Sequence, residues 1–450
     1  MPNIFNPYTK MSFLQKTDPQ IYDLIKAEEK RQEEGLELIP SEIAASWSVI
    51  EALGSVFTNK YSEGYPYARY YGGQEVVDEM ETVAIERAKA AFGVPHANVQ
   101  PYSGSPANLA VYAAVCKPGD TVMGQNLPDG GHLTHGWKAS MTAKYYNTLG
   151  YHVKADGYLD LDEIRKMARE NKPKLIWVGA TAYVREFPFE ELAEIADEVG
   201  AYLCADIAHI AGLVAAGVHK SPTEFAHIIT STTHKTLGGP RGGMIMVTQK
   251  GLDKDSDLAQ KVDRAIFPGL QGGPHEHQIA AVAVALGEVS KPKFKVHAAQ
   301  IVKNAKALAE ALMENGLKLI TNGTDNHMIL VDCGKGRGAL LQDALDQAGI
   351  TLNKNTIPAD PSSPFYPSGC RLGTPFITVR KMKEPEMKKI GNWIARVWKE
   401  IEGFNVLPET KEERKEFLVN FKSFVKNNNE LKVIREEVRT LCGDFPLYKK

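Results

Sequence analysis

One lysine of this chain, Lys235, stands between four hydroxyl residues and a glycine-rich turn, in the run Thr230-Ser-Thr-Thr-His-Lys-Thr-Leu-Gly-Gly-Pro-Arg-Gly-Gly243. An amine so placed is suited to capture an electrophilic carbon. The residues before it, Thr230, Ser231, Thr232, Thr233 and His234, make a poor helix and a plausible strand end or loop, rich in short donors that suit a phosphate or a phenolate oxygen. His234 and the hydroxyls of Thr232 and Thr233 are placed to assist proton movement. Upstream, the apolar run Gly200-Ala-Tyr-Leu-Cys-Ala-Asp-Ile-Ala-His209 carries one acid, Asp206, and one imidazole, His209. A carboxylate inside such a strand needs a cationic partner, and the run supplies none. Either Asp206 is a salt-bridged core acid or its partner is a ligand.

A reactive lysine and a buried acid together suggest pyridoxal phosphate chemistry. In that chemistry a lysine holds the aldehyde as a Schiff base, and an aspartate keeps the pyridine nitrogen protonated so that the ring can take electrons from the substrate's Cα. Lys235 must shed its proton for this, which a desolvated site makes feasible. The order of strand acid and then lysine is the one used by the large aminotransferase-like fold.

Other stretches could serve the same site. Ser103-Gly-Ser105 opens a helix with Pro106 at its first position, so free backbone N–H groups and the helix dipole face an anion there; a plain N-cap is the alternative. His132 sits on the turn Gly130-Gly-His-Leu-Thr-His135, where an imidazole can lie flat against a ring or be an ordinary hydrogen-bonded loop residue. Thr181 closes the buried strand Lys174-Leu-Ile-Trp-Val-Gly-Ala-Thr-Ala-Tyr183, on the side of a parallel sheet where ligands bind, and is a candidate partner for a phenolic oxygen. The loop-rich stretch from Leu36 to Gly73 crowds Tyr61, Tyr65, Tyr67, Tyr70 and Tyr71 around Glu63 and Arg69, as a ligand lining or a packed interface would. Arg371 has the planar fork a carboxylate needs, with a surface salt bridge as the ordinary alternative. His275-Glu-His277 invites a metal reading, but the helical run after it keeps the two histidines off one face, so no metal site is expected.

These residues need a large scaffold. A chain of 450 residues is long enough for more than one core. With 43% apolar residues, 24% charged residues and a net charge of -2, the composition implies neither a nucleic acid partner nor a membrane. The five cysteines form no C-x-x-C pair and argue against disulfides or zinc. No signal peptide or membrane span is read, so the cytoplasm is the expected compartment. Residues 1–35 read as an arm, with Asp18-Pro19 starting a helix that ends near Gly35 and whose stripe Ile21, Leu24 and Ile25 packs on the body or on a second subunit, or frays at the surface. From Glu75 helices and strands alternate: helix Val76 to Phe92, strand Asn98 to Pro101, and onward, the pattern of a doubly wound α/β domain over 36–291. A smaller α+β domain over 292–450 is expected to open with helix His297 to Asn315. Strands Leu317 to Thr321 and His327 to Asp332 follow, then a loop face holding Asn353 to Pro358, Ser363 to Phe365 and Cys370 to Gly373, and a charged helical tail from Pro408.

The lysine segment resembles the signature of the serine hydroxymethyltransferase family, enzymes of the fold type I, aminotransferase-like class that use pyridoxal 5′-phosphate. So do, in family order, Leu38-Ile-Pro-Ser-Glu42, Thr58-Asn-Lys-Tyr-Ser-Glu-Gly-Tyr-Pro66, Arg69-Tyr-Tyr-Gly-Gly73, Ser103-Gly-Ser105, Gly130-Gly-His-Leu-Thr-His-Gly136, Phe267-Pro-Gly-Leu-Gln-Gly-Gly-Pro274, Gly323-Thr-Asp-Asn-His327 and Ser368-Gly-Cys-Arg-Leu-Gly-Thr-Pro375. The resemblance implies that L-serine and tetrahydrofolate are converted reversibly to glycine and 5,10-methylenetetrahydrofolate, with Lys235, Asp206, Glu63 and His234 catalytic. It implies cofactor contacts from His209, His132, which stacks on the ring, Thr181, Gly104, Ser105 and Tyr61. Ser41, Tyr71 and Arg371 would hold the amino acid, Arg371 at its carboxylate, with Glu63 near the reacting hydroxyl. Leu127, Gly131, His132, Leu133, Asn355, Ser363, Pro364 and Phe365 would meet the folate. Gly272 and Gly273 would cap the phosphate of the other subunit, and Tyr61 and Tyr71 would reach its site, so a homodimer with shared sites is implied, with a tetramer left open.

Four departures bear on the substrate. Ile43 stands where the family usually has asparagine, Tyr67-Ala68 replaces Gly-Lys, Pro106 replaces glutamine and Pro128-Asp129 replaces Ala-His. The apolar bulk of Ile43 near the substrate entrance favours a substituted serine. A relative acting on 2-methylserine, a folate-independent aldolase of β-hydroxy amino acids and a non-catalytic binding subunit therefore stand as alternatives.

Overall fold

A computed structural model describes residues 13–405, 407–408 and 410–448. The first twelve residues of the expected arm and the last two of the tail lie outside the described residues. The body is a seven-stranded mixed sheet. Its strands in chain order are β1 (His96–Asn98), β2 (Thr121–Gln125), β3 (Asn147–Tyr151), β4 (Leu175–Val178), β5 (Tyr202–Asp206), β6 (Ile228–Thr232) and β7 (Gly243–Val247). In space they run β1-β7-β6-β5-β4-β2-β3, and only β7 is antiparallel to its neighbours.

The apolar runs of the central strands follow from burial on both faces. Ile176 and Val178 of β4 pack in one hydrophobic cluster with Leu203 and Ala205 of β5. The alternate residues Leu175, Trp177, Tyr202 and Cys204 pack in another, on the opposite face. Helix Glu75–Phe92 covers the first face through Ala84, Ala88 and Phe92; helix Gly104–Val115 covers the second through Ala107, Val111 and Tyr112. Helices on both faces leave the strand ends as the open places for a ligand.

A second sheet of four antiparallel strands follows: β8 (Lys318–Leu319), β9 (Met328–Asp332), β10 (Asn353–Asn355) and β11 (Gly369–Gly373), in the order β8-β9-β11-β10. It has its own cluster, in which Leu308, Leu341, Ile390 and Phe421 are buried. Helix Pro292–Glu314 belongs to both cores: Ala298 and Ile301 pack in the first, Ala307, Leu308, Ala309 and Leu312 in the second. Leu36 and Leu38, expected in the large domain, also pack in the second cluster, because Leu36–Glu37 pairs with Ile350–Thr351. Arg185 crosses between the two units, with Nη1 at 2.8 Å from Asp325 Oδ1 and Nη2 donating to the Thr321 carbonyl at 2.6 Å.

Several expected boundaries move, for local reasons. The strand expected over 98–101 is His96–Asn98, since the Asn98 side chain takes the Gln100 N–H at 3.0 Å and ends the ladder. Pro106 is the third residue of its helix, where the first-turn N–H is still unneeded. The helix expected from His297 starts at Pro292, in the first-turn position proline favours. Strand β8 stops at Leu319 before Thr321, which takes a left-handed φ of 64°. Two segments expected on a loop face, Asn353 to Asn355 and Cys370 to Gly373, are paired strands, with Asn353 opposite Arg371. The tail is two helices, Lys411–Asn427 and Asn429–Asp444, divided at Asn428, whose side chain caps the second. Helix Pro19–Glu34 is capped by Asp18 as expected, but Leu24 remains 59% exposed on this chain. Among the described residues no helix is long and apolar enough to cross a membrane.

Candidate active site

The residues singled out around Lys235 gather where β2, β4, β5 and β6 end, the carboxyl edge at which open α/β sheets bind ligands. Asp206 is the last residue of β5, and Lys235 lies three residues past β6. Both line one cavity, with His132, Thr181, His209 and Gly104. Gly179, between β4 and Thr181, has a φ of 137°, and a side chain there would strike the Asp206 carbonyl at 2.1 Å, so only glycine lets the two strand ends approach.

Asp206 is better held than its sequence suggested. Its Oδ2 takes Asn108 Nδ2 at 2.8 Å and faces His135 Nε2 at 3.1 Å, while Oδ1 takes the Ala208 N–H at 3.1 Å. Burial alone would raise its pKa, but the bond and charge of His135, then His132 and Asn108, outweigh that and hold the carboxyl well below its usual range. It is therefore ionised at any working pH. Sequence reasoning missed His135 and Asn108, although each carried a signal. His135 closes the quoted glycine-histidine turn, and Asn108 is a lone amide in an apolar helix, the same oddity that marked Asp206. His135 is further fixed by stacking on Trp177 at 4.9 Å.

Lys235 meets the opposite treatment. Burial lowers its pKa to about 8, with Asp206 opposing and Arg371 and Arg241 adding to the fall. The reactive form is the neutral amine, so the rate at which apoprotein captures pyridoxal phosphate is predicted to rise with pH to about 8 and then level off. Stopped-flow absorbance measures this; a rate still climbing toward the ordinary lysine value of 10.5 contradicts it.

Burial strips the charge from His132, His209 and His327. Burial pushes His132 down to about 4 and His327 to about 3, and carries His209 well below its ordinary value. His132 is pinned rather than loose, its Nδ1 lying 2.7 Å from Thr134 Oγ1. His209 stacks on His327 with ring centres 5.6 Å apart. His327 closed a quoted motif without receiving a role. Thr232 lines the cavity, but His234 does not; burial, then Arg241 and Lys235, lowers its pKa to about 3, so it is a neutral imidazole. Two of the other hydroxyls are committed to backbone: Thr233 Oγ1 donates to the Pro240 carbonyl at 2.7 Å and Ser231 Oγ to the Thr232 carbonyl at 2.7 Å. Thr181 Oγ1 donates to the Gly130 carbonyl at 3.1 Å. Ser105 follows Gly104 in the first turn of its helix, half-buried.

Arg371 approaches from β11 of the smaller sheet. Its Nε donates to Asn353 Oδ1 at 3.1 Å and its Nη1 to the Thr181 carbonyl. No carboxylate among the described residues pairs with it, and burial lowers its pKa to about 10. A guanidinium with no acid of its own has the donors to take a carboxylate. Half-buried Ser41 is beside this strand, since the Gly373 N–H donates to the Leu38 carbonyl at 2.7 Å and Pro40 lies against Gly373.

A second group forms apart from this cavity. Tyr61 donates to Glu63 Oε1 at 3.2 Å and packs edge-on against Tyr71 at 5.2 Å. Gly273 lies against the Tyr61 ring and Gly272 against Glu63. None of these five residues lines the Lys235 cavity, and Tyr61 is 58% exposed.

The residues expected at a folate divide between the two units. Leu127, Gly131 and Leu133 follow β2; Asn355 ends β10, and Ser363, Pro364 and Phe365 are exposed. Only His132 of that set lines the cavity. The two segments meet at Asp129, which lies 2.7 Å from His152 Nδ1; burial pushes its pKa up against the pull of His152 and of the Ala359 backbone N–H.

His132, His135 and Asp206 are the group of the described residues spaced closely enough to hold a metal ion. The 275–277 histidines are not such a group; His275 instead stacks on Tyr102 at 4.1 Å.

A sequence model of the serine hydroxymethyltransferase family matches residues 14–394. Three curated proteins named serine hydroxymethyltransferase are similar over most of the chain. The one from Acidothermus cellulolyticus is 57% identical over 390 residues, covering 86% of this chain and 90% of that protein. That from Desulfotalea psychrophila is 52% identical over 438 residues, covering 97% and 96%, and that from Sorangium cellulosum is 54% identical over 387 residues, covering 85% and 90%.

Proposed function

The chain belongs to the serine hydroxymethyltransferase family, and from that premise we propose how its own residues carry the reversible conversion of L-serine and tetrahydrofolate to glycine and 5,10-methylenetetrahydrofolate. It is a fold type I enzyme that uses pyridoxal 5′-phosphate, with tetrahydrofolate as co-substrate. The observation that carries the assignment of roles is the cavity flanked by Lys235 and Asp206. It suits the cofactor: Asp206 keeps Oδ1 engaged by a single N–H, and the missing side chain at Gly104 leaves room beside Thr232. When bound, pyridoxal phosphate supplies a cationic ring that holds the electron pair left by a bond broken at the amino acid's Cα.

Lys235 holds the aldehyde carbon through its neutral amine, and Asp206 keeps a proton on the pyridine nitrogen. Gly104 and Ser105 offer first-turn N–H groups to the phosphate. His132, His209 and Thr181 complete the cradle. Arg371 and Ser41 take the substrate carboxylate, and by fixing it they decide which bond at Cα can break. Glu63 moves the proton of the departing hydroxymethyl group. Leu127, Gly131, Leu133, Asn355 and the segment 363–365 receive the folate from both sides of the Asp129 contact.

Glu63, Tyr61, Tyr71, Gly272 and Gly273 serve the cavity of a second subunit in a cytoplasmic homodimer. Their absence from the lining of the Lys235 cavity, the exposure of Tyr61 and the open apolar stripe of helix Pro19–Glu34 support the second subunit. We divide the chain into a large domain and a small one near residue 292, where helix Pro292–Glu314 begins.

Two experiments test the reading. E63Q is expected to lose folate-dependent turnover and keep the cofactor; wild-type turnover in E63Q removes its role. Cleavage of L-serine, 2-methylserine and L-threonine, each with and without tetrahydrofolate, is expected to favour L-serine with folate. Faster folate-free cleavage of either other substrate contradicts that.

A further inference from the structure

Glu63 leaves the protein between two buried residues, Ser62 and Gly64, while it is itself half-exposed. The Ser62 hydroxyl bonds to Glu276 Oε1, on the first residue of helix Glu276–Val289. Arg69 Nη1 donates to the carbonyls on both sides, Ser62 at 3.0 Å and Gly64 at 2.9 Å. Gln100 Nε2 adds a bond to the Gly64 carbonyl at 3.0 Å. Gly64 itself has a φ of 101° and room for no side chain, since a Cβ would lie 2.3 Å from the Ala68 carbonyl. Arg69 is in turn fixed by Asp78 at 2.9 Å and by Glu81.

Glu276 is the costly member of this anchor. It is 1% exposed, and its Oε2 has no partner among the described residues. Glu81 and Asp78 from the facing helix repel it, and Arg69 is shared among all three acids. Burial, aided by Glu81 and Asp78 against Ser62 and Arg69, pushes it up to about 7. A buried acid in such company is expensive to keep, and what it holds is the serine next to Glu63. We propose that Glu276, acting through the Ser62 hydroxyl, is a positioning residue that sets the direction in which Glu63 and Tyr61 leave the surface toward the reacting group.

The inference rests on Glu63 as the proton-moving residue. Holoenzymes carrying S62A, E276A, E276Q and E63Q, assayed with L-serine and tetrahydrofolate, test it. S62A and E276A lower kcat by about 10- to 100-fold, the cost of misplacing a reacting group by a fraction of its reach, with the KM for serine and the cofactor's visible band unchanged. E276Q, whose amide oxygen still accepts from Ser62, stays close to wild type. It also melts above wild type by a margin that opens as the pH rises above about 4.5, is complete by about 7 and stays constant beyond, and it matches wild type below 4.5. Wild-type kcat in S62A and E276A beside an inactive E63Q overturns the proposal, as does a loss confined to cofactor retention or melting. Should E276A fail to fold, S62A, which removes one hydroxyl, decides. Full turnover in E63Q overturns the reading of Glu63 beneath it, so the two failures are told apart.

Discussion

Replacing Lys235 with alanine lowers turnover on the order of 10³-fold or more, equivalent to about 4 kcal/mol of barrier, and removes the visible band of the lysine-held cofactor. The expected loss is large because no neighbour can take over: the imidazoles beside the cavity have no primary amine to form a Schiff base, and Arg371 keeps its proton even after burial has lowered it to about 10. The fold should not suffer. Lys235 is a buried cation facing Arg371 and Arg241, and Asp206 stays satisfied by Asn108, His135 and the Ala208 N–H. Deleting that cation relieves a desolvation cost, so the K235A protein melts no lower than wild type when both are compared without cofactor. Turnover and absorbance in K235A, read beside its melting curve, check both halves. A variant that keeps the band contradicts the assignment of the lysine, and one that unfolds contradicts the electrostatic argument.

Arg371→Ala gives the second large loss, in the binding of the amino acid. The guanidinium is aimed by Asn353 across the sheet and by the Thr181 carbonyl from the other unit, and has no acid of its own among the described residues. Removing one partner of a buried, hydrogen-bonded charge pair costs about 3 to 4 kcal/mol, or two to three powers of ten in kcat/KM for L-serine. Lysine should not rescue it, because an ammonium cannot present two parallel N–H groups to a carboxylate. Steady-state kinetics of R371A and R371K decide the matter. A variant within a few fold of wild type for serine contradicts the carboxylate role. Capture of the cofactor by these variants should remain, since Asp206 ends a strand of the other sheet and Lys235 follows one.

What could be read from the sequence and what could not divide along physical lines. Lys235 and Asp206 were legible because each is chemically out of place, an amine among hydroxyls and an acid in an apolar strand, and strand ends of an α/β sheet converge on one edge. The neighbours that tune them were not. His135 and Asn108 come to Asp206 from a turn and a helix far away in sequence, so their pairing depends on how helix Gly104–Val115 packs on the sheet. Arg371 was found by type but expected in a loop; its strand contains two glycines and a cysteine, a pattern that local propensity does not assign to a sheet. The proton-handling role of His234 came from adjacency along the chain, whereas the cavity receives only its neighbour Lys235. Tyr61, Glu63 and Tyr71 show a different limit. Their chemistry was visible, but this chain keeps them off the Lys235 cavity, and the second subunit is their destination only on the reading proposed above.

The most direct test of the central claim is to reduce the cofactor-loaded protein with borohydride, digest it and weigh the peptides. The account predicts that the cofactor's mass stays on the peptide containing Lys235 and on no other. A reduced cofactor attached to a different lysine, or a Lys235 peptide left at its unmodified mass, would contradict it.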